Sequence, residues 1–89
     1  MSNAIAGVAL PANVVPMFRQ MLAAIASSGT AEDVDRRVWL VVGVLRTLEC
    51  LQRINPRAGH KLYDHVNGLA EVRIKELSQR AKEAGYVGA

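Results

Sequence analysis

The segment Val38-Trp39-Leu40-Val41-Val42-Gly43-Val44-Leu45 decides how this chain folds, because eight apolar or small residues stand together between two arginines. The apolar spacing continues at helical period through Leu48 and Leu51, which favours a helix over a strand despite the β-branched side chains. A surface helix ordinarily has one apolar stripe. This helix is apolar around most of its circumference, so the sequence predicts that it is covered on more than one side.

The flanking residues predict two further helices. Asn13 is a candidate N-cap for the first, and Gly29 is placed to end it in the left-handed conformation. Thr30, with Asp33 three residues later, approximates a capping box for the second helix. Asn55-Pro56 combines a favoured N-cap with a favoured first helical residue, so the third helix begins almost at once. The three predicted helices cover about residues 14–27, 30–54 and 56–84.

Length and composition favour one all-α domain. Eighty-nine residues make a single small core, and hydrophobic residues are 51% of the chain while aromatic residues are only 4%. The apolar content is therefore mainly aliphatic, which suits helix packing better than a β-sandwich. We expect an N-terminal arm without strands at 1–13 and a helical domain at 14–89, namely a three-helix bundle around a long hydrophobic central helix, assembled as a helical dimer. Residues 1–4 resemble a cloning remnant and enter no functional argument.

The central helix has two apolar sides. A broad face through Val34, Val38, Val41, Leu45 and Leu48 can be covered by the other two helices. A separate line, spaced three or four residues apart and containing small side chains, predicts an interface with a second chain, either another copy or a helical protein partner. The members of this line are Leu40, Gly43, Thr47, Cys50 and Ile54.

The third helix has one apolar stripe with an anomaly at its edge. The stripe follows helical spacing through Tyr63, Val66, Ala70, Ile74, Leu77, Ala81 and Ala84. Arg73 falls beside this stripe. We expect its guanidinium either to reach solvent along the apolar surface or to pair with an acidic group across an interface.

No constellation of residues predicts catalysis, a cofactor or a metal site. His60 and Asp64 share a helix face, but His65 points about 100° away from Asp64, and zinc sites need three or four ligands. A polar pair near a helix start explains them better. Cys50 lies among apolar neighbours, which predicts a buried structural thiol rather than a nucleophile.

The basic residues provide the main alternative function. Arg53, Arg57 and Lys61 cluster at the corner between the second and third helices and are candidates for phosphate contacts. The net charge is only +3, acidic residues interleave with the other cations, and no aromatic residue is placed for base stacking. The corner is also too tight for a helix-turn-helix. A weak nucleic-acid-binding regulator therefore stays the second hypothesis.

The leading hypothesis is a small non-enzymatic interaction protein, such as an adaptor, a chaperone or a regulatory subunit, acting through the central helix. No segment reaches the roughly 18 consecutive apolar residues that span a bilayer, and the start lacks the basic residues of a signal peptide. The single cysteine fits a reducing compartment, so we expect a cytoplasmic protein. No residue pattern indicates a small-molecule substrate.

Overall fold

Three helices build most of the structure, a computed structural model that describes residues 4–85: α1 (Val15–Ala26), α2 (Ala31–Cys50) and α3 (Pro56–Glu83). The predicted all-α architecture of three helices packed together is confirmed. The Thr30 side chain accepts a hydrogen bond from the Asp33 amide at 3.0 Å, and Asn55 Oδ1 accepts one from the Ala58 amide at 2.7 Å. Both predicted N-caps are therefore present, and they fix where α2 and α3 begin. The capping box is only half formed, because the Asp33 carboxylate pairs with Arg36 and Arg37 instead of the Thr30 amide.

The ends of α1 differ from the prediction. Val14, not Asn13, occupies the N-cap position and makes no side-chain cap bond, because valine has no acceptor atom. Pro16 in the first turn lowers the number of amides that need a partner by one. Gly29 is not left-handed; among the described glycines only Gly7 and Gly85 have positive φ. The Ser28 hydroxyl instead donates to the Ala24 carbonyl at 2.9 Å, which satisfies a group at the C-terminal end of α1.

The N-terminal arm forms a small β-hairpin, which the prediction of an arm without strands missed. Strands β1 (Ala4–Ile5) and β2 (Val8–Ala9) pair antiparallel around the two-residue loop Ala6-Gly7. Both loop residues have positive φ, 52° and 78°, as a type I′ turn requires. The apolar side chains Ile5 and Val8 are buried, so the hairpin closes one end of the core.

The core lies where α2 packs against both α1 and α3. Its fully buried members are aliphatic except for one phenylalanine, as the composition indicates. They are Phe18 and Ile25 from α1, Val34 and Val41 from α2, and Leu62 and Val66 from α3.

The central helix is shorter than predicted, because it ends at Cys50 and not at Arg53 or Ile54. Leu51 caps the last turn, and Gln52 then adopts a left-handed conformation with φ of 57°. This reversal turns the Ile54 side chain into the core, where it is 8% exposed. Ile54 therefore does not continue the line through Leu40, Gly43, Thr47 and Cys50.

The buried side of α3 is rotated from the predicted stripe. Val66 and Ala70 are buried as expected, but Tyr63 and Ile74 are exposed. Leu62 and Gly59 take the buried positions instead. Packing explains the rotation. Gly59 can face α2 because it has no Cβ, and the side chain of Glu49 from α2 occupies the space where a Cβ would stand.

The bundle is elongated. The Cα radius of gyration is 15.0 Å, against about 12 Å for a compact chain of this length. α3 has 28 residues and is therefore about 42 Å long at 1.5 Å per residue. From residue 78 to residue 85 every position is exposed. Such a shape leaves more surface uncovered than a compact monomer does.

Candidate functional site

The line of small and apolar residues on α2 lies on the surface. Leu40 is 59% exposed, and Gly43, Thr47 and Cys50 are exposed as well. No neighbouring heavy atom of the described residues lies within 4 Å of the position that a Cβ on Gly43 would occupy. The Thr47 hydroxyl donates to the Gly43 carbonyl at 2.8 Å, which turns its polar atom back onto the helix. The side of α2 that the sequence assigns to a second chain is thus uncovered here.

Residues of α1 widen this surface into an apolar groove. The groove has a volume of about 460 Å³ and lies between α1 and α2, with Met17 and Val14 on one side and Val44 and Leu48 on the other. Met17 is 44% exposed. Met17 was not predicted from the sequence to lie on this surface, although Val14, Met17 and Met21 are spaced three and four residues apart. We call the exposed set the α1–α2 face; it consists of Met17, Leu40, Gly43 and Thr47.

A second hollow continues the α1–α2 face toward the start of α2. It has a volume of about 290 Å³ and is lined by Gln20, Met21, Ala24, Arg37 and Leu40. Leu40 lines both hollows and therefore lies between them. It is also more exposed than Met17, the other large apolar side chain of the face. Arg37 is held there by its bond to Asp33, with Nε 3.2 Å from Oδ2.

The three predicted phosphate contacts line one groove. Arg53, Arg57 and Lys61 surround a hollow of about 380 Å³ at the corner between α2 and α3, and residues 7–9 of the hairpin form its other wall. All three side chains are exposed. We call this hollow the corner groove. The sequence brings the three cations close together, but the hairpin wall was not expected.

A further hollow between α2 and α3 contains two of the few aromatic side chains. Trp39, 65% exposed, and Tyr63 line it together with Arg46, Glu49 and His60. Its volume is about 300 Å³. Trp, Tyr and Arg are enriched among residues that dominate binding at interfaces. The spacing of α2 alone does not reveal this hollow, because the partners of Trp39, Tyr63 and His60, come from α3.

The remaining candidate residues lie apart from these surfaces or have structural roles. Cys50 is an exposed free thiol, so the prediction of a buried thiol was wrong. No element among residues 4–85 covers the side of α2 on which it lies. His60 Nε2 lies 3.7 Å from Asp64 Oδ2, with both side chains exposed. His65 is exposed, and within residues 4–85 no three potential ligands gather around one point.

Arg73 is buried and structural. It is 8% exposed, its Nε donates to the Ser28 carbonyl at 2.8 Å, and its Nη1 lies 3.5 Å from Glu76 Oε1. The guanidinium therefore ties α3 to the C-terminal end of α1. The acidic partner expected across an interface is a neighbour on the same helix.

Comparison with family models, curated proteins and solved structures finds no match for this chain. None of the described helices is both long enough and apolar enough to span a bilayer.

Proposed function

We propose that this protein is a non-enzymatic helical interaction protein of the cytoplasm, an adaptor, chaperone or regulatory subunit, and that its α1–α2 face docks a second copy of the chain. The observation that supports the proposal is the uncovered apolar line on α2, headed by Leu40 at 59% exposure. Gly43 lies in the middle of that line with open space above it. A glycine at this position lets the backbones of two crossing helices approach closely.

The exposed area supports a second copy as the occupant. The chain exposes 6256 Å², against about 5,100 Å² for a compact monomer of its mass. The excess is roughly 1,200 Å², to which the exposed end of α3 at residues 78–85 also contributes, and a standard interface buries about 800 Å² on each partner. A two-fold dimer uses the same face on both chains, so a single exposed patch is sufficient to form it.

The dipole of α2 favours an antiparallel pair. Its first turn contains Glu32 and Asp33, but Asp33 is already paired with Arg36 and Arg37 within the chain. When two copies cross in opposite directions, the positive end of each helix dipole lies near the negative end of its partner, which is the favourable arrangement.

Light scattering on the purified chain tests this proposal. The wild-type chain has a mass of 9.6 kDa, and we expect the measured mass to double as concentration rises. Leu40→Glu places a charge in the centre of the α1–α2 face and is expected to keep the chain monomeric, because an unpaired charge is costly to bury.

Val72→Glu is the matched control. Val72 is also a well-exposed aliphatic residue, 58% accessible, but it lies on α3 away from the α1–α2 face. We expect this variant to dimerise like the wild type. A wild-type chain that stays monomeric up to millimolar concentration, or two variants that dissociate equally, would overturn the proposal.

A further inference from the structure

The corner groove gathers cations that have no acidic partner among residues 4–85. Arg53 follows α2, while Arg57 and Lys61 lie on successive turns of α3, and all three line the same hollow. The acidic residues Asp33 and Glu76 pair with other arginines, namely Arg36, Arg37 and Arg73. Asp64, the acidic residue nearest to Lys61 in sequence, faces His60 at 3.7 Å. Within the described part of the chain, the three positive charges therefore act on the groove without a neutralising carboxylate.

The hairpin provides an uncharged wall that makes the site concave and leaves its positive potential unopposed. Its contribution to the groove is Gly7, Val8 and Ala9, which bear no charge. Concave sites lined by charge of one sign focus the electrostatic potential and concentrate ligands of the opposite sign. The corner groove is thus a concave site with three cations on one wall and a neutral wall facing them.

We infer that the corner groove binds the phosphodiester backbone of a nucleic acid. Arg57 and Lys61 are four residues apart, about 6 Å along the helix axis, so a ligand with several phosphates in a row meets more of the cations than a single phosphate does. No aromatic side chain of the described chain lines this groove. Binding through phosphates alone, without base stacking, is independent of sequence and strongly dependent on salt.

A membrane surface fits the corner groove less well than a nucleic acid. Proteins that lie on a bilayer insert exposed apolar side chains next to their cations. The large apolar residues that line this groove, Val8 and Ile54, are both buried. A concave groove also follows a strand better than it follows a flat lipid surface.

Fluorescence anisotropy with labelled 20-nucleotide single strands and 20-base-pair duplexes tests the inference. The test variant is Arg57→Glu with Lys61→Glu. The matched control is Lys75→Glu with Lys82→Glu, which makes the same change in net charge at exposed positions farther along α3. Circular dichroism verifies that each variant is folded. Adding Leu40→Glu to the wild type shows whether binding needs the proposed dimer.

We expect the wild type to bind several unrelated oligonucleotides. Neutralising three phosphates gives a slope of log K against log salt of about −2 for a single strand. The corner variant should bind at least about tenfold more weakly, a difference of about 1.4 kcal/mol, and the control variant less than about threefold. Equal losses in both variants, no binding to nucleic acid, or tighter binding to phosphatidylserine vesicles than to oligonucleotides would overturn the inference. The Leu40→Glu variant should still bind the oligonucleotide, because the corner groove lies outside the α1–α2 face. Dimerisation and nucleic-acid binding therefore test the two proposals independently.

Discussion

Arg73 shows how one buried charged residue joins two helices. Its Nε donates to the carbonyl of Ser28, a residue only 3% exposed. Arg73→Met keeps the length of the side chain but removes this donor, so the free energy of unfolding should fall by about 1–3 kcal/mol. Urea denaturation measures the difference. Arg80→Met, at an exposed position of the same helix, is the control and should change it by less than about 0.5 kcal/mol. Equal effects would contradict the structural role.

The reactivity of the Cys50 thiol shows whether the end of α2 is covered. The thiol is exposed at the end of α2, so Ellman's reagent should modify it in the folded protein without denaturant. Because Cys50 lies on the same line as Gly43 and Thr47, dimerisation should slow this reaction as protein concentration rises. A thiol that reacts only after unfolding would show that the end of α2 is covered within the chain. A rate independent of concentration would contradict its place near the interface.

Substitutions at two mid-helix glycines distinguish an effect on helix stability from an effect on dimerisation. Gly43 in α2 and Gly68 in α3 both have open space where a Cβ would stand. Replacing either by Ala should raise the free energy of unfolding of the monomer by about 0.5–1 kcal/mol, because alanine loses less backbone entropy in a helix.

Dimerisation distinguishes these two substitutions. Gly43→Ala adds a methyl group at the proposed crossing point and should raise the dimer dissociation constant by about tenfold or more. Gly68→Ala should leave it unchanged. Chemical denaturation at low protein concentration gives the stability, and sedimentation equilibrium gives the dissociation constant. If Gly43→Ala dimerises as well as Gly68→Ala, the α2 line is not where the copies meet.

At the scale of elements, a helix end can be predicted from the sequence when neighbouring residues determine it. The starts of α2 and α3 follow from Thr30 and from Asn55-Pro56, because each cap bonds to an amide three residues away. The end of α2 cannot be predicted in this way. It depends on a left-handed conformation at Gln52, whereas the residue type expected at such a position is glycine. The hairpin had a weak local signal in the glycine of its two-residue loop between Ile5 and Val8.

At the scale of the whole molecule, surfaces built by one segment are easier to predict than surfaces built by several. Arg53, Arg57 and Lys61 were grouped from the sequence because they lie within nine residues of each other. The hairpin wall of their groove comes from the other end of the chain. Met17 joins the α1–α2 face for the same reason, through helix packing that the spacing of α2 alone does not reveal.

The central claim is that two copies of the chain cross at Gly43, and disulfide trapping tests it directly. A two-fold axis through this crossing places each residue 43 next to its own copy, and a disulfide needs Cα atoms within about 7 Å. In a Cys50→Ser background, and at a protein concentration well above the weakened dissociation constant expected for a side chain at position 43, mild oxidation of Gly43→Cys should trap the encounter as a covalent dimer on a non-reducing gel. Gly68→Cys, also at an exposed helical glycine, should stay monomeric. Equal trapping at both positions, or none at Gly43→Cys, would contradict the account.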